Sequence, residues 1–335
     1  MPRVGTAWVR GDHLGAARVR WGIGRYDYRV APGLYAIGEP DETSPVLVTA
    51  NYKLSFDTLR RELGGLDLFV LVLETMGINV WCAAGKGTFG TDELCTRIAA
   101  VELDQVVSHR RLILPQLGAP GVAAHLVKGR TGFRVRYGPI EARDVPRYLE
   151  TRRASEEMRR KQFPLRERAV LVPMELVPAL KVAVVLIAVM VVYAAALGPA
   201  GTFVGGLASH GVVAAVAVLA AVLCGAVLTP LLLPWVPGRA FSTKGALLGL
   251  AIGAPVTFLA QWGLSSLAGW RWVDGAGLSL LTAALASFIA MNFTGSSTYT
   301  SLSGVEKEMR RALPPQAAAA VVGLLVWGLS IALLR

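Results

Sequence analysis

Cysteine is scarce in this chain: its 335 residues include only three, Cys82, Cys95 and Cys224. Three thiols in so long a chain do not form the disulfide framework of a small secreted domain. They are also too few for an internal iron–sulfur cluster, which takes about four thiolates. The sequence therefore excludes a disulfide-stabilised fold and a protein that carries its own iron–sulfur cluster.

Charge is scarce in the second half of the chain. Residues 176–335 hold 8 of the 34 Lys and Arg and 3 of the 23 Asp and Glu. Their apolar stretches are long enough to cross the hydrocarbon core of a membrane, about 30 Å thick. The sequence predicts an all-α transmembrane domain of five helices, near 176–197, 207–233, 246–268, 276–294 and 316–334. Within these spans we single out Lys181, near one end, and the neutral Gln261, which are poor material for a transporter.

Lys and Arg are unequally distributed over the predicted loops, and cytoplasmic loops are generally the richer in them. On one side of the membrane, 13 Lys and Arg lie in the flanks 147–168, 234–244 and 295–315. The other side has only Arg271 and Arg335. This predicts a multi-pass protein of the cytoplasmic (inner) membrane, with its N-terminal domain in the cytoplasm and its C-terminus outside. Residues 151–175 are predicted to be a basic linker helix, whose charge suits membrane lipid head groups and not nucleic acid.

The first half of the chain has the pattern of a soluble domain. Residues 46–150 alternate between apolar, β-branched runs and helical patterns, which is typical of a parallel sheet with crossover helices. We predict an α/β Rossmann-like domain over 46–150, preceded by an irregular leader, 1–45, that packs on it. Residues 1–30 lack a continuous apolar core, so no secretory leader is expected. Ligands of such sheets bind beyond the carboxyl ends of the strands, where Thr49, Asn51 and residues 74–86 are expected to lie.

Cys82 stands in the sequence Asn79-Val80-Trp81-Cys82-Ala83-Ala84-Gly85-Lys86, which predicts the start of a helix. Asn79 is a suitable N-cap. Free backbone N–H groups and the helix dipole at such a site stabilise a thiolate, the form that ligates metals. A buried, inert cysteine is the usual alternative. It is less favoured here because Trp81 offers an apolar wall and the small residues that follow Cys82 leave room for a large ligand.

Two other signals are weaker. Gly85 to Gly90 match the dinucleotide-binding pattern G-x-G-x-x-G, with Asp104 near the expected position of a ribose-binding acid. That pattern belongs in the turn directly after a strand, however, and here about ten residues separate it from Glu74. Cys95 lies in a predicted helix among apolar residues, so we expect it to be a core residue, and we assign no function to Cys224.

Residues 79–86 resemble the motif of the mercury-methylation corrinoid proteins, the HgcA family, which reads Asn, Val or Ile, Trp, Cys, Ala or Ser, Ala, Gly, Lys. All of these positions agree. Residues 44–57 are similar to that family and to the large subunit of the corrinoid iron–sulfur protein of acetyl-CoA synthesis. The resemblance covers the whole plan of the chain, a cytoplasmic corrinoid domain followed by five spans.

The resemblance implies that Cys82 is the catalytic residue and the metal ligand, coordinating the cobalt of a cobalamin-type corrinoid from its lower face. Because a thiolate is a strong electron donor, it would help a cobalt-bound methyl group to pass to Hg(II), giving methylmercury. The implied partners are a small ferredoxin-like iron–sulfur protein as electron donor and a folate-derived methyl donor that acts through a methyltransferase. The residues expected to bind the cofactor are Thr49, Asn51, Asn79, Val80, Trp81, Cys82, Ala83, Ala84, Gly85 and Lys86.

Two alternatives from other functional classes remain open at this stage. A membrane-tethered nucleotide-binding oxidoreductase that uses the glycine run would bind nicotinamide and no cobalt. A non-catalytic membrane anchor or permease subunit would bind no small cofactor in its soluble domain.

Overall fold

The computed structural model describes residues 1–197, 210–264, 271–293 and 302–333. The chain divides into two compact units, Met1–Gln162 and Phe163–Arg335. Helices and strands alternate in the first unit: α1 Arg10–Arg20, β1 Gly33–Ile37, β2 Val46–Ala50, α2 Lys53–Arg61, β3 Leu68–Leu73, α3 Val80–Lys86, α4 Thr91–Ala100, α5 Leu103–Val106, β4 Arg111–Leu114, α6 Ala124–Thr131, β5 Arg134–Tyr137 and α7 Val145–Thr151. This confirms an α/β domain.

The sheet has the strand order β1-β3-β2-β4-β5. β2, β3, β4 and β5 are parallel, whereas β1 pairs with β3 in the antiparallel sense. The four strands within 46–150 are thus parallel, as predicted, whereas β1, which belongs to the predicted leader, makes the whole sheet mixed. The Rossmann-like assignment stays a prediction. Ala50 pairs with Leu73, so β2 and β3 end at the same edge of the sheet.

Apolar side chains cover both faces of the sheet, which explains why β2 and β3 are continuous apolar runs. Alternate residues of a strand point to opposite faces. Val46 and Val48 accordingly join one buried cluster with residues of α3 and α4, while Leu47 joins another with Phe56 of α2. α3 is therefore packed against the sheet by the first of these clusters.

The predicted irregular leader contains two regular elements, α1 and β1. Helix α1 was missed because it is rich in Arg and buries only Asp12, Ala16 and Val19. Ion pairs fix it to α2: the Asp12 carboxylate contacts Lys53 Nζ and Arg60 Nη2, both at 2.6 Å. Such long-range pairing has no local sequence pattern.

The helices of the second unit are α8 Leu165–Leu197, α9 Val212–Val222, α10 Thr229–Leu231, α11 Phe241–Leu248, α12 Ala254–Leu264, α13 Arg271–Asn292 and α14 Leu302–Leu333. A π-helical segment, Leu223–Leu228, joins α9 to α10, and another, Gly249–Gly253, joins α11 to α12. Within the described residues, five continuous helical stretches are long and apolar enough to cross a membrane: Leu165–Leu197, Val212–Leu231, Phe241–Trp262, Trp272–Asn292 and Gly304–Leu333. We call them the first to the fifth span, and their number agrees with the prediction.

The basic linker helix predicted over 151–175 is not a separate helix. Helix α8 begins at Leu165 and continues without a break to Leu197. Pro173 and Pro178 lie inside it, and proline in a predicted helix is ordinarily taken as a boundary. Only the end of the charged flank, with Arg166 and Arg168, therefore shares a helix with the first span.

Glycine allows two of the spans to come into contact. A Cβ atom added to Gly277 of α13 would lie 2.9 Å from the carbonyl oxygen of Gly323 of α14, and one added to Gly323 would lie 2.8 Å from that of Gly277. Small residues permit such close backbone approach between membrane helices. α13 and α14 are thus packed too tightly at this point for any larger side chain.

Candidate functional site

Cys82 lies in the first turn of α3, just beyond the edge of the sheet where β2 and β3 end. Asn79 is the N-cap of this helix, and its side-chain oxygen accepts a hydrogen bond from the backbone N–H of Cys82 at 2.9 Å. The cap predicted from the sequence is therefore present. The thiol is half-buried, as is the ring of Trp81 beside it.

The electrostatic setting of Cys82 differs from the expected one. Burial raises the pKa of the Cys82 thiol, while the charges of Arg25 and Lys86 and the hydrogen bond with Asn79 lower it by less. The net pKa is above the ordinary value of a cysteine. The N-terminus of the helix and the two positive charges thus do not outweigh the effect of burial on the pKa of this thiol.

Asn51, predicted to bind a ligand, instead organises the loop that leads from β3 to α3. Its side-chain oxygen accepts hydrogen bonds from the N–H groups of Thr75 and Gly77 and from the Thr75 hydroxyl, at 2.8–3.1 Å. Its amide nitrogen donates to Glu74 at 2.8 Å. Asn51 is 1% exposed and Thr49 is 4% exposed. Both side chains are enclosed by the protein, and their contact with a cofactor stays a prediction.

Helix α3 turns its alanines inward. Ala83 and Ala84 are 0% and 5% exposed and belong to the core cluster that also contains Phe89. A Cβ atom on Gly121 would lie 2.9 Å from the Cα atom of Ala84, so the helix is packed closely against that segment. This packing accounts for the small size of these alanines, and their contact with a cofactor stays a prediction.

The remaining predicted binding residues are more accessible. Val80 and Trp81 are half-buried, and Gly85 and Lys86 are exposed. Val80 also packs against the core. Trp81, Gly85 and Lys86 are therefore the members of the motif, besides Cys82, that a ligand can reach in this structure.

Sequence reasoning missed the contribution of Arg25. The segment that follows it is fixed to the site: the Val30 N–H donates to the Asn51 carbonyl at 2.9 Å. A Cβ atom on Gly77 would lie 2.9 Å from the Tyr26 carbonyl oxygen. Both contacts hold the segment against the loop that precedes α3. The only sequence signal was the pair Gly22 and Gly24, which have φ values of 76° and 62° and turn the chain before Arg25.

The glycine run does not form a dinucleotide-binding turn. Gly87 ends α3 with a φ of 82°, and Gly90 begins α4, so the run connects two helices. The first turn of α4 carries Asp92 and Glu93, which would repel a phosphate. These observations agree with our rejection of the motif. Cys95 packs against the core, as predicted.

No cluster of three or more His, Cys, Asp or Glu side chains with the spacing of a metal site occurs within the residues that the structure describes. A metal ion at Cys82 would therefore take a single ligand from these residues. Such an arrangement suits a metal ion whose other ligands belong to a cofactor and not to the protein.

Residues 24–149 match the family model described as CO dehydrogenase/acetyl-CoA synthase delta subunit. This segment contains the whole sheet, Arg25 and Cys82. It excludes α1 and all five spans. The matches to individual relatives cover 38% of the chain or slightly less.

Curated relatives match over the same part of the chain. The acetyl-CoA decarbonylase/synthase complex subunit gamma of Methanopyrus kandleri is 34% identical over 128 residues, which is 38% of this chain and 27% of the relative. The corresponding subunit of Archaeoglobus fulgidus is 32% identical over 128 residues, again 38% and 27%. The corrinoid/iron–sulfur protein large subunit of Moorella thermoacetica is 31% identical over 129 residues, 38% of this chain and 28% of the relative. The chain thus spans little more than a quarter of these proteins.

Proposed function

We propose that this protein is a membrane-anchored corrinoid methyltransferase that converts Hg(II) to methylmercury, with the Cys82 thiolate as the lower axial ligand of cobalt. The observation that carries the proposal is the position of Cys82, a half-buried thiol in the first turn of a helix that begins at the ligand-binding edge of the sheet. The segment around it is similar to a protein named for its corrinoid, and its eight-residue motif resembles that of the mercury-methylation family.

The residues at this site fit a cobalamin-type corrinoid. A corrin ring brings its own equatorial nitrogen ligands, so the protein has to supply only an axial one, and Cys82 is suitably isolated from other metal-ligating side chains in the described part of the chain. When bound, the corrinoid would supply a cobalt-carried methyl group for transfer to Hg(II), a soft electrophile. Trp81, Gly85 and Lys86 are the accessible neighbours that would contact it.

Several residues of the chain prepare the thiol for this role. The Asn79 side chain fixes the backbone N–H of Cys82 and with it the first turn of α3. Coordination requires the thiolate, so Cys82 has to release its proton when the metal binds. The positive charges of Arg25 and Lys86 favour the thiolate, although burial opposes it.

The reaction requires partners. Three cysteines do not hold an iron–sulfur cluster, so electrons that return cobalt to its reduced state have to come from outside, and a small ferredoxin-like iron–sulfur protein is the proposed donor. The methyl group would come from a folate-derived donor through a separate methyltransferase. Both are cytoplasmic, which agrees with the cytoplasmic placement of the soluble domain that the loop charges favour.

The direct test is anaerobic purification of the full chain with added corrinoid, followed by cobalt analysis, an absorption spectrum and an assay for methylmercury. We expect about one cobalt per chain, a spectrum altered by thiolate ligation, and methylmercury when a reductant and a methyl donor are supplied. A protein that takes up no cobalt, or that binds nicotinamide nucleotides instead, would contradict the proposal.

A further inference from the structure

The membrane-spanning unit contains a buried carboxylate that the sequence count missed. Asp274 is the fourth residue of α13 and is 1% exposed. The sequence predicts that this span begins at residue 276, which places Asp274 in the preceding loop. An ionisable residue buried among membrane helices is costly, and where one occurs it is usually functional.

Side chains from three other helical segments converge on this carboxylate. Oδ1 accepts a hydrogen bond from the Ser330 hydroxyl of the fifth span. Oδ2 accepts one from Gln261 Nε2 of the third span at 2.9 Å. His210, which just precedes the second span and is 2% exposed, has its Nδ1 atom 3.6 Å from the same Oδ2.

Two polar atoms beside the carboxylate are buried and make no hydrogen bond with the described residues: His210 Nδ1 and Gln261 Oε1. Leaving such an atom unpaired costs on the order of 1–3 kcal/mol. Both belong to side chains that already contact or approach Asp274 Oδ2. The unpaired Nδ1 atom, 3.6 Å from a carboxylate oxygen, indicates that a further group belongs between them.

We propose that His210, Gln261 and Asp274 bind a divalent transition-metal ion of the zinc class. Zinc lies about 2.0–2.2 Å from nitrogen and oxygen ligands, so two ligands of a tetrahedral site are roughly 3.4 Å apart. The 3.6 Å between His210 Nδ1 and Asp274 Oδ2 is close to that spacing and too long for a hydrogen bond. A metal ion shared by these atoms accounts for their separation.

The side-chain amide of Gln261 is the third proposed ligand of the metal ion. Rotation of this amide by half a turn would exchange its nitrogen and oxygen, placing the carbonyl oxygen where Nε2 now lies, 2.9 Å from Oδ2. The oxygen would then face the metal ion, and only a small increase in that distance is needed. Ser330 holds the other carboxylate oxygen, as groups behind a metal ligand commonly do.

The ligand types determine which ion is bound. An imidazole with oxygen ligands suits zinc and cobalt(II), whereas magnesium prefers oxygen alone and soft ions prefer thiolates. The site is therefore distinct from any site for Hg(II). One carboxylate leaves a bound dication with a single net positive charge, which ionisation of a metal-bound water would cancel.

The test uses purified full-length protein in detergent micelles that carries Cys82→Ala, so that the thiol of α3 does not bind the added ion. Zn(II) uptake is measured by metal analysis after desalting, with Co(II) as a spectroscopic probe and Mg(II) as the negative control. Asp274→Asn and His210→Gln are compared with Thr282→Val, a control at another buried polar position of the same span.

We expect the unchanged site and Thr282→Val to bind one more Zn(II) than the other two variants. Co(II) at the site should show visible absorption without sulfur-to-metal charge transfer, and Zn(II) should raise the melting temperature only where the site is intact. Because His210→Gln leaves the carboxylate network in place, it guards against a loss that reflects misfolding of Asp274→Asn. Equal Zn(II) uptake and equal melting shifts in all four proteins would overturn the proposal.

Discussion

The side chain of Asn79 and the backbone N–H of Cys82 are joined by a hydrogen bond of 2.9 Å, so a single amide fixes both the start of α3 and the position of the thiol. Asn79→Ala should therefore lower the free energy of unfolding by about 1 kcal/mol, the usual cost of losing an N-cap. Chemical denaturation monitored by circular dichroism measures this.

Two replacements of Asn79 separate its role in capping α3 from an electrostatic effect on Cys82. Ser and Asp both cap helices well, so Asn79→Ser and Asn79→Asp should restore most of the lost stability. Only Asn79→Asp adds a negative charge near the thiol, which should raise the pKa of Cys82 further. Equal thiol pKa values in these two variants would show that residue 79 does not act on Cys82 electrostatically.

Cys82 and Cys95 form a matched pair of half-buried thiols in adjacent helices. Cys82→Ala should abolish methylmercury formation and remove the spectral features of thiolate-ligated cobalt. Cys95→Ala should keep most of the activity, because Cys95 packs against the core. Activity measurements on the two purified variants, loaded with corrinoid under the same conditions, test this, and a fully active Cys82→Ala would refute the assigned role.

Arg25 should influence the reactivity of Cys82 even without cofactor. Its positive charge lowers the pKa of a thiol that burial raises, so Arg25→Ala should move the thiol pKa higher. At a given pH below that pKa, Arg25→Ala would then have a smaller thiolate fraction and a lower alkylation rate than the unchanged protein. Iodoacetamide labelling between pH 7 and about 10, in a Cys95→Ala background, measures the shift.

Two further variants control this experiment. Arg25→Lys keeps the charge and should retain most of the effect, whereas Arg18→Ala removes an exposed charge of α1 and should leave the labelling rate unchanged. Loss of reactivity in Arg18→Ala as large as in Arg25→Ala would point to general charge and not to the position of Arg25.

Asp12 should make the stability of the first unit, Met1–Gln162, depend on pH in the acid range. Burial acts to raise its pKa, but hydrogen bonds from Lys53, Arg60 and the Val9 N–H lower it from 3.8 to about 2. A carboxylate with a depressed pKa stabilises the folded state above its unfolded pKa and loses that contribution as pH falls towards its folded pKa. The melting temperature should therefore drop between about pH 4 and pH 2. Asp12→Asn should flatten this dependence, while the exposed Asp104→Asn should not.

The loop charges predict the orientation of the membrane unit. Thirteen Lys and Arg on one side against two on the other should place the N-terminal domain in the cytoplasm. A reporter that is active only outside the cytoplasm should work after Arg335, and one that is active only inside should work near Gly238. The reverse pattern at both positions would contradict the orientation, and a cytoplasmic reporter active after Arg335 would contradict an odd number of spans.

The sequence predicted those features that depend on local patterns. The apolar runs of β2 and β3, the five spans and the Asn79 cap all follow from residues adjacent in the chain. Features that depend on distant partners were missed. Helix α1 is fixed by ion pairs to α2, and β1 joins the sheet by pairing with β3 in the antiparallel sense.

The candidate site shows the same division. The position of Cys82 at a helix start was predictable, but the pKa of its thiol depends on burial by surrounding elements. Ala84 illustrates the point: its small side chain indicated room for a ligand, whereas Gly121, remote in sequence, occupies the space against it. A substitution such as Ala84→Leu would therefore disturb the core and would not report on the cofactor.

The raised thiol pKa values have a consequence for the proposed reaction, because its substrate, Hg(II), binds thiols. Burial raises the pKa of both Cys82 and Cys95, which lowers the fraction of each thiol that is thiolate at a given pH. The thiolate is the form of cysteine that ligates metals, so a smaller thiolate fraction slows the capture of inorganic mercury. Under the proposed function, a freshly made chain without its corrinoid would thus be partly protected from capture of its own substrate by these thiols.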